Sequence, residues 1–212
     1  MVDVEMDDVE KLFDNWSNSG RAEDMEKGHK TTTLPFLNSL KLNNKFSFLE
    51  IGCGNGWVIR NIAKKDNCIR ALGIDKSFGM IKRARFMSKD VKEQFIHTDF
   101  EKYMFNEQFD VIFSMEVLYY MKSIQSAINK IYTLTKSQGI AIFGTDFYLE
   151  NKDTTHWGKE MNLKLHLFSI EQWNKLWTNV GFTTKITHVT DPTSDELWKR
   201  NIGTLFITST KP

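Results

Sequence analysis

Leu49-Glu50-Ile51-Gly52-Cys53-Gly54-Asn55-Gly56 is the run on which the fold reading turns. It closes an apolar stretch, Phe46–Ile51, that reads as a strand, and Trp57–Lys65 follows at once with helical spacing. Glycines at 52, 54 and 56 permit a tight turn, and without Cβ atoms they let a ligand come close to the backbone. The helix behind them offers unpaired N–H groups at its N-terminus. The spacing is Gly-x-Gly-x-Gly, with Trp57 where a dinucleotide fingerprint needs its third glycine, which counts against NAD or FAD. Standing alone, this run would be explained equally well as a glycine-rich turn with no ligand.

Downstream, short apolar runs alternate with helical segments. Ile69–Ile74, Gln94–Thr98, Phe109–Met115 and Ile140–Phe147 read as further strands, continuous rather than alternating, as expected when both faces of a parallel sheet are covered. Ser77–Ser88 and Ser123–Thr135 read as the helices between them, the second carrying Ile124, Ile128, Ile131 and Leu134 on one face. Gly139 is the expected turn into the fifth strand. Ser169-Ile-Glu-Gln forms a capping box before a helix with Trp173, Leu176, Trp177 and Val180 on its apolar side, and Gly181 is placed to end it. Phe182–Val189 and Gly203–Thr210 alternate and predict a closing antiparallel edge hairpin. The expected fold is a doubly wound α/β sheet of seven strands, mostly parallel with an antiparallel C-terminal strand, with helices on both faces.

Composition narrows the function. The 212 residues carry 28 Lys+Arg against 27 Asp+Glu, too balanced to imply nucleic acid or acidic lipid as the main partner. Cys53 and Cys68 are the only cysteines, which excludes a disulfide scaffold and multi-cysteine zinc modules. No apolar run is long enough to span a bilayer, and the opening MVDVEMDDVEK has no signal-peptide pattern, so a soluble, cytoplasmic protein is expected. Two segments fall outside the regular alternation. Residues 1–45 predict a helical lid or cap: Val9, Leu12, Phe13 and Trp16 on one side of a first helix, a Ser-Asn-Ser-Gly break at 17–20, then a second helix whose course Pro35 leaves open. Residues 46–212 form the main domain, within which 147–168 is too long for an ordinary connection and reads as a lid-like insertion after strand five.

The glycine run does not stand alone. Asp75 ends the second strand 21 residues beyond Gly54, the spacing of a ribose-binding carboxylate. Asp99 ends the third strand, and Ser114-Met115-Glu116 closes the fourth. Ligands of open α/β sheets bind outside the carboxyl ends of the strands, so these elements converge on one crevice.

In this combination the chain resembles the class I S-adenosylmethionine-dependent methyltransferases, in particular their small-molecule branch, over about residues 46–148. The resemblance implies a Rossmann-like fold and S-adenosyl-L-methionine as methyl donor, with S-adenosyl-L-homocysteine as product and no metal. It implies that Glu50, Gly52, Cys53, Gly54 and Gly56 wrap the methionine part. Asp75 would accept the ribose hydroxyls and Lys76 would flank the adenine. Asp99, with Phe100 beside it, would bind the adenine amino group, and Ser114 and Met115 would face the methionine moiety. Acceptor-only carboxylates suit both the diol and the amino group, and would repel the 2′-phosphate of NADP.

The acceptor is expected above the ends of strands four and five, under the N-terminal segment. Glu26 and His29 on the second helix, Tyr119 after strand four and Asp146 after strand five are the candidate catalytic residues, with His156 and His166 as weaker ones. Trp16, Tyr119, Tyr120, Tyr148 and Trp157 would suit a flat or cationic small acceptor, or simply exclude water. The expected activity is methyl transfer to N, O or S of a small molecule, by a monomer or homodimer. An RNA or protein methyltransferase is the first alternative, with Lys82, Arg85 and Lys89 as a mild basic stripe; an Asn/Asp-Pro-Pro-Tyr/Phe motif after strand four is absent. The second is a non-catalytic regulatory protein that binds S-adenosylmethionine.

Overall fold

A computed structural model describes residues 7–42 and 44–212. Met1–Met6, part of the expected cap and of the segment read for a signal peptide, lie outside the described residues. Seven strands form one sheet: β1 (Phe46–Ile51), β2 (Cys68–Asp75), β3 (Glu93–His97), β4 (Phe109–Met115), β5 (Thr135–Thr145), β6 (Thr183–Val189) and β7 (Thr204–Thr210). Their order is β3-β2-β1-β4-β5-β7-β6, and β7 alone runs opposite to the other six. The order reverses between β1 and β4, which opens a crevice at their carboxyl ends.

The period-2 geometry of the strands divides the core into two layers. Phe48, Val111, Phe113, Ile142 and Phe206 face α2 (Arg21–Ser39), α3 (Trp57–Ala63) and α4 (Phe78–Met87). Leu49, Ile112, Phe143 and Ile207 face α5 (Ile124–Leu134) and α7 (Ile170–Asn179), where Trp173 and Trp177 are fully buried. Both faces are covered, which is why the central strands are apolar throughout. The capping box that starts α7 is present in both directions: Gln172 N–H donates to Ser169 Oγ, and Ser169 N–H to Gln172 Oε1.

One expectation about the sheet needs correction. Gly139 is not a turn, because β5 begins at Thr135 directly after α5 and continues to Thr145. Pairing jumps from Phe109–Thr135 to Val111–Ile140, so the extra residues form a bulge with Gln138 at φ +60°. A Cβ at position 139 would stand 2.8 Å from the Lys136 carbonyl oxygen, so the bulge admits only glycine there. The closing strands pair antiparallel at the sheet edge, as expected. Their connection carries a short helix, α8 (Leu197–Asn201), whose Lys199 ammonium donates to the Gly28 carbonyl of α2.

At the N-terminal end, α1 (Asp8–Ser19) runs through the expected break, and Gly20 at φ +83° makes the turn into α2. α2 continues past Pro35 to Ser39. Asp14 on α1 accepts from Gly79 N–H at the start of α4, and Phe36 on α2 stacks on Phe206 with ring centres 4.0 Å apart. These two contacts lay the helices over the crevice. No described helix is long and apolar enough to cross a membrane.

Candidate functional site

A cavity of about 360 Å³ occupies the crevice, floored by the ends of β1, β2 and β4 and roofed by α1 and α2. Gly52, Cys53 and Gly54 line it where β1 turns towards α3. Gly52 sits at φ +71°, and a Cβ there would lie 2.3 Å from a Val117 methyl. Gly54, at φ +52°, has nothing within 4 Å of where its Cβ would be, so its backbone is open to a ligand. Gly56 does not line the cavity: a Cβ would meet the Phe95 ring at 2.6 Å, so this glycine serves close packing of α3 on the sheet.

Asp75 stands at the end of β2, tied to the turn it faces. Gly54 N–H donates to Oδ2 and Ser77 N–H to Oδ1, both at 2.8 Å. Burial raises its pKa against the pull of those two donors. Each oxygen keeps a lone pair for a further donor. Glu50 lies deeper, 3% exposed, with Oε2 unpartnered. Burial, and then the Asp75 charge, push its carboxyl well above the usual range, and Arg60 opposes this. Burial likewise pushes the Cys53 thiol up. Asp99 accepts from Glu101 N–H, and its Oδ2 lies 3.5 Å from the Lys76 ammonium, which also pairs with Asp7. Lys76, Phe100 and Met115 line the same cavity. Ser114 does not; its hydroxyl donates to the Ile51 carbonyl inside the sheet. An open glycine turn, a diol-sized carboxylate and an orphaned buried acid fit a ligand with vicinal hydroxyls and an ammonium group.

The candidate catalytic residues divide into two groups. Glu26 lines the cavity but is engaged: Asn55 Nδ2 donates to its Oε2 at 2.9 Å, and Arg60 lies 3.7 Å away. It holds α2 to the glycine turn. His29, Tyr119 and Asp146 instead gather around Glu116, which the sequence placed with Tyr119 and Tyr120 in the cluster after strand four but gave no catalytic role. Asp146 N–H donates to Glu116 Oε1, and Tyr119 Oη donates to Glu116 Oε2 at 2.7 Å. His29 Nδ1 is 3.4 Å from Asp146 Oδ2. Neither that nitrogen nor either Asp146 carboxyl oxygen has a hydrogen-bond partner, and Asp146 is fully buried. Burial, then the Asp146 charge, push the Glu116 carboxyl up to about 7, opposed by His29 and by the Tyr119 hydrogen bond. Glu116 also holds φ at +58°, a left-handed conformation costly for a side chain of its size, and such strain concentrates at working sites. An acid directly after strand four was the available signal.

A second cavity of about 170 Å³ adjoins the first and shares Phe13, Met25, His29, Glu116 and Tyr120 with it. Trp157 and Met161, from the segment after β5, form its far wall. His156 pairs with Glu160 on the surface, and His166 stacks on Phe168; neither lines either of these two cavities. Among the described residues, no group of three His, Cys, Asp or Glu side chains is placed to hold a metal ion.

Comparison with known proteins decides the family. A methyltransferase domain family model matches residues 20–187. The chain belongs to the methyltransferase domain family. A malonyl-[acyl-carrier protein] O-methyltransferase of Priestia megaterium is 28% identical over 138 residues, 65% of this chain and 50% of that one. The chain spans about half the length of the curated relatives it matches. Among solved structures, the complex between the Haloferax volcanii Trm112 methyltransferase activator and a methyltransferase superposes with TM-score 0.88 at 21% identity, covering 94% of this chain and 97% of that one. The N-methyltransferase NodS of Bradyrhizobium japonicum, in complex with S-adenosyl-L-homocysteine, gives 0.74 at 21% identity, covering 97% and 100%. The sheet is that of a class I methyltransferase.

Proposed function

We propose that this methyltransferase-family chain moves a methyl group from S-adenosylmethionine to N, O or S of a small molecule. The observation that carries this reading is the pair of adjoining cavities with Glu116 and His29 on their shared wall. S-adenosylmethionine supplies a methyl group on a sulfonium, which an acceptor lone pair can take by in-line displacement. The chain's own residues do the rest. Asp75 and Glu50 present acceptors to the ribose hydroxyls and the amino group. Asp99, steadied by Lys76, faces the adenine end. Holding two reactants in line can contribute roughly 7–11 kcal/mol. α1 and α2 act as a lid over the donor, and Trp157 and Met161 close the acceptor side against water.

The RNA alternative loses support from its own residues: Arg85, central to the basic stripe, donates its guanidinium to the Phe95 carbonyl. Incubation with labelled S-adenosylmethionine and a metabolite panel tests the proposal. Methylated small product supports it, whereas donor binding without turnover on any acceptor favours the regulatory alternative.

A second reading concerns a partner. β3 pairs only with β2, leaving an open edge, and beside it Phe86 and Val91 are 91% and 95% exposed. With a relative of the same fold solved in complex with an activator protein, this edge is proposed to take a small activator of that kind. Co-purification with such a protein, lost on Val91→Asp and Phe86→Asp, tests it.

A further inference from the structure

The acidic cluster beside the second cavity is met by one basic side chain of this chain, His29, whose Nδ1 lies 3.4 Å from Asp146 Oδ2. Glu116 and Asp146 are held together by the Asp146 N–H, so two carboxyl groups share one enclosure. Asp146 carries two oxygens without a donor although the residue is fully buried. Around the smaller cavity the permanent cation among the described lining residues is Arg21, exposed at the rim with its guanidinium 5.5 Å over the Trp16 ring. The remaining walls are largely aromatic: Trp16, Tyr119, Tyr120 and Trp157, with Phe13 edge-on to Tyr120.

From this arrangement we infer that the methyl acceptor is an amine, bound as its ammonium ion among these rings, and that Glu116 takes the proton it must lose. The inference rests on the methyl-transfer reading and narrows its acceptor from N, O or S to nitrogen. An ammonium brings a positive charge and several donors into a cavity of rings and carboxylates, where each ring face attracts a cation. A carboxylate acceptor would face Glu116 and, behind it, Asp146 as like charges. A phenol or alcohol would bring no positive charge to either acid.

The atoms balance as follows. The ammonium gives one N–H proton to the Glu116 carboxylate, and the freed nitrogen lone pair forms a bond to the methyl carbon. The methyl carbon–sulfur bond breaks with its electron pair staying on sulfur, leaving a neutral thioether and a methylated ammonium. Glu116 then returns its proton to solvent as the product leaves. The groups facing Glu116 are His29 from α2, Tyr119 and Tyr120 from the turn after β4, and Asp146 from the end of β5. A carboxyl lifted to about 7 exchanges a proton readily near neutral pH, which agrees with this placement.

Calorimetric titration of the chain saturated with S-adenosylhomocysteine, near neutral pH, compares three probes of equal ring size: benzylamine, benzyl alcohol and benzoate. Benzylamine is expected to bind about tenfold or more tightly than the other two. Glu116→Gln is expected to remove most of that preference while benzyl alcohol stays within about twofold. Should Glu116→Gln fail to fold, Trp157→Ala on the half-exposed wall is expected to weaken benzylamine selectively. Benzoate or benzyl alcohol binding as tightly as benzylamine, or benzylamine indifferent to the variant that folds, overturns the inference. S-adenosylhomocysteine affinity, read in the same samples, separates the two readings. If the unmutated chain does not bind it, the methyl-donor reading falls and takes this inference with it; if it binds and the amine preference is missing, only the inference falls.

Discussion

The larger and smaller cavities share a wall but hold their acids in opposite ways. Asp75 is clamped by two backbone N–H groups from the turn and the helix start beside it, and its ligand needs only its remaining lone pairs. Glu116 and Asp146 face each other, with a single backbone N–H between them and both Asp146 oxygens without a donor. The first site is prepared for hydroxyl donors that stay neutral. The second stores electrostatic cost, which an incoming positive charge or proton relieves. Local backbone geometry builds the one, and contact between distant segments builds the other.

The contrast can be broken most severely at Asp75. Asp75→Ala deletes both acceptors, and hydrogen bonds to a charged group are worth about 1.5–3 kcal/mol each. S-adenosylhomocysteine affinity is therefore expected to fall by about a hundredfold or more, and calorimetry finding it within about threefold would remove the ribose role. Gly54→Val is expected to weaken it comparably, since it places a branched side chain at φ +52° in the space left for the ligand.

Glu116→Gln should act on the other side of the wall. Turnover with the acceptor is expected to drop by about 10²–10⁴-fold, the usual worth of a general base, with donor affinity nearly unchanged. Equal losses in both would show that the two cavities are energetically one.

The stability of the chain should carry the same signature. Glu116 ionises at about 7 when folded, against 4.5 ordinarily, so the folded chain binds more protons between those values. Stability is complete below the ordinary carboxylate range and is lost as pH rises through about 7, by at most roughly 3 kcal/mol. Thermal melts of the wild-type chain should show this decline and those of Glu116→Gln should not; parallel curves would deny that Glu116 is the strained acid. Activity, which needs the ionised carboxylate, should climb over the same window.

The smallest effect is expected at Tyr119→Phe. It deletes one donor to Glu116, so the carboxylate is less favoured. The acid limb of the rate profile should move to higher pH and turnover near neutrality should fall several-fold. An unmoved limb would reduce Tyr119 to packing.

Much of the lining of the larger cavity was readable because its parts are short and local. Gly52, Gly54, Asp75 and Asp99 each lie at the end of an apolar run, where the expected topology puts ligands. Where the pattern misled, tertiary packing was the cause. Gly56 answers to the Phe95 ring rather than to a ligand, and Ser114 turns its hydroxyl into the sheet. Gly139 looked like a turn because a bulge spends the same residue type on the same backbone need. Around the smaller cavity His29, Tyr119 and Asp146 were named separately, from three segments of which the first and last are 117 residues apart. Nothing in their spacing showed that they meet around Glu116, or that Glu26 would be occupied by Asn55.

Which segments become strands, the covering of both sheet faces and the glycine turn with its acid were determined by the sequence itself, since strand period, turn chemistry and capping act over a few neighbouring residues. The smaller cavity was decided only when α2 came to lie across β7 and the segment after β5 folded back against it. Burial and the distance between charges set the behaviour of Glu116 and Asp146, and both quantities exist only between parts of the chain that folding brings together.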